Sequence, residues 1–174
     1  MNQLQELKEL YYKELDYRDH ISEKITASIT FFTVLCTGHM FIWSKMAELD
    51  FVVSFFPLLF LSLEILCVIE TCVSFRFFVR TYYKNEYGVF PVEEIIDAVR
   101  ENEMNKCGHS EKDISKANDS MINSTLVECI KQNRKTNQCR LENQLKMNRC
   151  LLTSFIILIL VYALWIFVIN KYTF

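Results

Sequence analysis

The chain has 174 residues, a formal net charge of −2, 51% hydrophobic residues, three Gly and two Pro. The length fits about one domain. The few Gly and Pro exclude collagen-like, linker-like and turn-rich all-β chains, and the charge balance excludes a polycation for nucleic acid. The mean hydropathy of +0.13 is high for a soluble domain. The apolar residues also gather in three blocks, which argues against a soluble globular enzyme.

Residues 1–24 read as a cytosolic amphipathic helix. Leu4, Leu7, Tyr11 and Leu15 share one face. Glu9–Lys13 and Glu14–Arg18 are spaced for i,i+4 pairs with the acid first. The segment is too long and acidic for a cleavable signal.

A transmembrane hairpin is expected over 25–73. Its first apolar block, Ile25–Trp43, carries no Asp, Glu, Lys or Arg. Its second, Phe51–Val73, is apolar except for Glu64 and Glu70. Both reach the about 20 residues that a helix needs to cross a bilayer core, and lipid forces each to close its own backbone hydrogen bonds. Trp43 lies near a block end, where interfacial anchors sit. The hairpin loop is placed at 44–50.

The second span is expected to overrun its block through SFRFFVRTYYKNEY and stop at Gly88 and Pro91. A cytosolic helical domain is assigned to 74–150. Within it, Val92, Ile95, Ile96 and Val99 mark a short helix with Glu93 and Glu94 in its first turn. Asn105–Ser110 reads as a loop. A long helix follows from about Asp113, with an apolar stripe of Met121, Ile122, Leu126, Cys129 and Ile130. Beyond it Gln132, Asn133, Asn137, Gln138, Asn143, Gln144 and Asn148 crowd the sequence. They suit either amides packed in an oligomeric stalk or a solvated helix.

The third transmembrane helix is Leu151–Ile169, charge-free, with Trp165 near its end, and 170–174 is a short outer tail. Lys and Arg number four in 1–24 and thirteen in 74–150, against one in 44–50 and one in 170–174. The positive-inside rule then places the N-terminus in the cytosol and the C-terminus outside. The seven scattered cysteines read as free thiols. The triplets starting at Asn118 and Asn123 match the glycosylation pattern but fall on the cytosolic side.

No enzyme motif is found: no Gly-rich nucleotide loop, G-x-S-x-G, H-E-x-x-H or paired C-x-x-C. Cys107 and His109 lack a second ligand pair at metal spacing. The expectation is therefore no enzyme, no catalytic residue, no metal and no cofactor. Lys131–Arg149 is basic and reads as an anchor beside anionic lipid. It lacks aromatic residues for base stacking, which disfavours direct nucleic-acid binding.

Two features of the spans carry a functional expectation. Thr26, Thr30, Thr33 and Thr37 are spaced four, three and four, on one helical face. That face can line water or join helices, or each hydroxyl can bond back to its own helix. Glu64 is a carboxylate deep in a span, where such groups line water or pair. With the turn at 44–50, Glu64 falls level with Thr30 and Thr33 and not with His39. Glu70, nearer the boundary, is expected to be solvated or paired with Arg76.

Three stretches, ELYYKELDYRDHIS (9–22), RTYYKNEYGVFPVEEI (80–95) and ECIKQNRKTNQCR (128–140), resemble a family of small bacterial membrane proteins. In size and layout the chain is also similar to the accessory membrane proteins of type VI-B CRISPR systems. The resemblance implies a homo-oligomeric inner-membrane pore that strengthens antiphage defence by depolarisation. Its partners would be further copies of itself, bilayer lipids and, functionally, a CRISPR effector complex. The shared positions are Tyr11, Glu14, Arg18, Tyr82, Tyr83, Pro91, Asn133, Asn137 and Arg140, whose implied work is helix docking and oligomer packing. The Arg–His spacing of HEPN ribonucleases is absent, so a nuclease role does not carry over. The competing reading is a membrane-anchored platform that recruits a cytosolic sensor or effector. The expected fold is thus an all-α membrane protein, homo-oligomeric, with three transmembrane helices and a cytosolic helical domain.

Overall fold

The computed structural model describes residues 3–46, 55–83, 85–104 and 111–172. Among them every regular element is a helix: α1 (Gln3–Glu23), α2 (Ile25–Met46), α3 (Phe55–Tyr82), α4 (Val92–Met104) and α5 (Glu111–Tyr172). Three helical stretches are long and apolar enough to cross a membrane. The expected loop 105–110, with Cys107 and His109, lies outside the described residues, as do 47–54 of the hairpin connection and 173–174 of the tail.

The chain divides into two compact units. The first comprises 1–21 and 85–139. Its apolar centre is Tyr11, Leu126, Cys129 and Ile130, with Leu4, Leu7, Leu15, Phe90 and Ile122 against it. The face read on α1 is thus the face it buries. On α4 only Ile95 of the expected apolar set is fully buried, whereas Val92 and Ile96 are exposed.

The second unit comprises 22–84 and 140–174, and holds α2, α3 and the C-terminal part of α5. Buried residues on α3 are Phe60, Glu64, Cys67, Thr71, Ser74 and Thr81. On α5 they are Arg140, Gln144, Met147, Leu151, Ser154, Ile157 and Val161. Alternation of three and four residues is the spacing of helices packed side by side in a left-handed bundle. One cluster gathers Ile42, Phe60, Cys67, Ile157 and Val161. Another gathers Leu35, Met147 and Leu151, with Phe32, Phe77 and Phe78 packed on it. α2 approaches α5 closely at Gly38, where a Cβ would lie 2.7 Å from a Leu158 methyl. α3 overruns its apolar block as expected, to Tyr82.

The cysteines separate membrane burial from protein burial. Cys36, Cys72 and Cys139 are all exposed on the protein surface, while Cys129 is buried. In native membranes, among variants that keep a single cysteine at 36, 72, 129 or 139, a water-soluble maleimide should react at Cys139 only. Lipid shields Cys36 and Cys72, and packing shields Cys129. Rapid labelling at Cys36 and Cys72 would contradict the membrane placement.

Candidate functional site

The first unit brings together much of the three stretches noted above. Residues 85–91 run beside α5 and contain no helix. Asn133, fully buried, holds this strap at Gly88 by two bonds: Gly88 N–H donates to Asn133 Oδ1 at 2.7 Å, and Asn133 Nδ2 donates to Gly88 O at 3.2 Å. A Cβ on residue 88 would lie 2.9 Å from the Cys129 Cα, so only glycine fits this approach. One turn on, Asn137 Oδ1 accepts from Tyr87 Oη at 2.9 Å, and its Nδ2 donates to Glu14 O at 2.8 Å and Glu14 Oε2 at 3.1 Å. Arg134 donates to Glu14 Oε1 at 3.1 Å, the Tyr11 hydroxyl accepts from Phe90 N–H at 3.2 Å, and Arg18 lies over the Tyr87 ring.

These contacts replace several expectations. Glu14 bonds Arg134 and Asn137 rather than pairing with Arg18, and Arg18 pairs with Asp19 at 2.8 Å. The amides of Asn133 and Asn137 are not solvated but bond the strap and α1 of the same chain. Pro91 directly precedes α4, and its carbonyl accepts from Ile95 N–H.

In the second unit the polar groups form a ladder between α3 and α5. Cys67 Sγ donates to Ser154 O at 3.0 Å, Ser74 Oγ to Met147 O at 3.2 Å, and Arg140 Nε to Thr81 O at 2.7 Å. The α3 positions rise by seven as the α5 positions fall by seven, as antiparallel helices require. Arg140 also donates to Ser22 Oγ at 3.1 Å. Tyr82 packs on Phe78 within this unit, and Tyr83 is exposed.

Between α2 and α3 lies a buried ionisable pair, His39 and Glu64. Glu64 has no exposed surface, and its Oε1 lies 2.7 Å from His39 Nδ1. His39 Nε2 and Glu64 Oε2 are buried and meet no further polar partner.

This corrects the expected register, which set Glu64 level with Thr30 and Thr33. The 44–50 turn follows from the bounds of the two apolar blocks. The His39–Glu64 contact instead shifts the pairing of α2 with α3 toward the second span. The Phe32–Phe75 ring contact fits the observed register. The physical reason is the cost of a carboxylate without a partner, which far exceeds the cost of sliding an apolar helix pair.

Thr26, Thr30, Thr33 and Thr37 are all exposed. At 100° per residue their face points about 180° from Ser28, Leu35, His39 and Ile42, the buried face of α2. Thr30 and Thr33 donate to the carbonyls of Thr26 and Ile29 on their own helix. The structure therefore separates Glu64 from the threonine face. Glu70 makes no ion pair with Arg76 among the described residues. Six residues along a helix put Glu70 and Arg76 on different faces, which forbids the expected pair. Sequence reasoning singled out Arg140 but missed the pairing of His39 and the roles of Cys67, Ser74 and Thr81. The signal available was the three-four spacing of Glu64, Cys67, Thr71 and Ser74 on α3.

Removing one member of the central pair leaves the other buried and unmatched. Glu64→Ala should cost about 3–5 kcal/mol of stability in mixed micelles, whereas His39→Phe combined with Glu64→Leu should recover most of it. Additive losses in the double variant would show that the two side chains do not interact.

No protein-family model, curated protein or solved structure matches the chain.

Proposed function

We propose that the chain is a homo-oligomeric effector of the bacterial inner membrane that dissipates the membrane potential in phage defence and so strengthens a CRISPR-type response. The observation that carries this reading is the threonine face of α2. Four hydroxyl residues lie on one exposed face of a charge-free span, opposite the protomer's own core. Hydroxyls turned to lipid gain nothing beyond their own backbone bonds. Between copies they join helices or border water. A path for ions needs several copies, because the interior of one protomer is filled by apolar clusters and the polar ladder. The three stretches that resemble defence-associated membrane proteins supply the biological setting. The Lys and Arg distribution favours a cytosolic N-terminus and an outer C-terminus.

Glu64 has no place on the conducting face in this reading. It holds the protomer together, and the threonines act between protomers.

Thr30→Leu, Thr33→Leu and Thr37→Leu together should leave the protomer folded, break the assembly and abolish depolarisation of induced cells. Light scattering of the purified protein and a potential-sensitive dye read the two effects. A triple variant that assembles and depolarises like the parent would overturn the role of this face.

One observation favours the platform reading. Val89, Val92 and Ile96 of the first unit are exposed apolar residues close in sequence, suited to a soluble partner. Activity that survives replacement of the α2–α3 hairpin by an unrelated two-span anchor would select the platform over the pore.

A further inference from the structure

We propose that a groove between α2 and α5 is a binding site for an anionic phospholipid. The groove encloses about 330 Å³. One end is lined by Lys24, Gln144 and Asn148, the other by Phe31, Leu151 and Leu152. The two helices run parallel here, so their polar ends coincide and their apolar ends coincide. Lys24 and Phe31 are seven residues apart, about 10 Å along a helix. That length accommodates a glycerophosphate group and the start of an acyl chain.

Three observations select this occupant. First, the polarity gradient follows the chain into the span. Lys24 immediately precedes the charge-free run from Ile25, and Asn148 precedes the apolar run from Leu151, so the polar end lies at headgroup depth. Second, Gln144 is only 4% exposed, makes no side-chain hydrogen bond among the described residues, and its amide keeps access to the groove it lines. Such an amide can bond a ligand or water there. Third, the polar end carries one charged group, the Lys24 ammonium, beside two amides that can donate. A phosphodiester accepts from all three, and a basic pocket between membrane helices suits a lipid of net negative charge. The proposal needs the apolar helices in a bilayer or micelle and does not depend on the pore.

The test uses the full chain in neutral maltoside micelles, titrated with dioleoyl-phosphatidylglycerol and read by native mass spectrometry. Phosphatidylglycerol should bind at least about fivefold more tightly than dioleoyl-phosphatidylcholine, the factor one lysine supplies near a headgroup. Lys24→Glu should weaken it by more than tenfold. Lys146→Glu carries the same charge change at an exposed position outside the groove, and should weaken it less than twofold. Equal binding of the two lipids would overturn the proposal. So would full displacement by millimolar inorganic phosphate, which marks a small-anion site, or equal losses in both variants, which mark general surface attraction. Retained binding in Lys24→Glu would overturn it as well.

Discussion

A carboxylate enclosed by apolar helices has to find its partner inside the protein, and Glu64 finds His39 at 2.7 Å. The rest of the second unit follows from that requirement. Helix pairs in lipid lack the hydrophobic drive that fixes soluble bundles, because lipid tails match leucine in polarity. An apolar hairpin can therefore slide at little cost. A single buried pair removes that freedom, since any other register leaves a charge or an imidazole unmatched. The pair fixes α2 on α3, and the seven-residue ladder from Cys67, Ser74 and Thr81 to α5 then fixes the third helix.

The first unit solves the same problem with neutral amides. Asn133 and Asn137 each spend both ends of the amide, one on the 85–91 strap and the other on the strap and α1. Gly88 is the point where the strap comes closest to α5. Fully satisfied buried amides specify one arrangement in a way that leucine packing does not. Tyr11, Glu14, Arg18, Asn133 and Asn137 thus make these contacts within one chain.

Much of this was legible beforehand. Helix content, the long apolar runs and the buried face of α1 follow from periodicity, because Leu4, Leu7, Tyr11 and Leu15 repeat at helical spacing and sit in the core. The hairpin register was not legible. It depends on one long-range bond between residues 25 positions apart, and the bounds of the apolar blocks pointed elsewhere. The use of Asn133 and Asn137 was hidden for a similar reason. Their partners lie on a segment without periodicity, so an amide-rich helix read equally well as solvated or as part of a stalk. Glu14 looked committed to Arg18 by local spacing, but tertiary partners offered a better-enclosed set of donors.

The His39–Glu64 bond sets the interior of the second unit, with the threonine face of α2 turned away from it. Oxidative cross-linking in a cysteine-free background tests this most directly. His39→Cys with Glu64→Cys should form a disulfide efficiently in native membranes, while Thr30→Cys with Glu64→Cys should not. Efficient cross-linking of positions 30 and 64, with none between 39 and 64, would contradict the observed register and with it the separation of the buried pair from the threonine face.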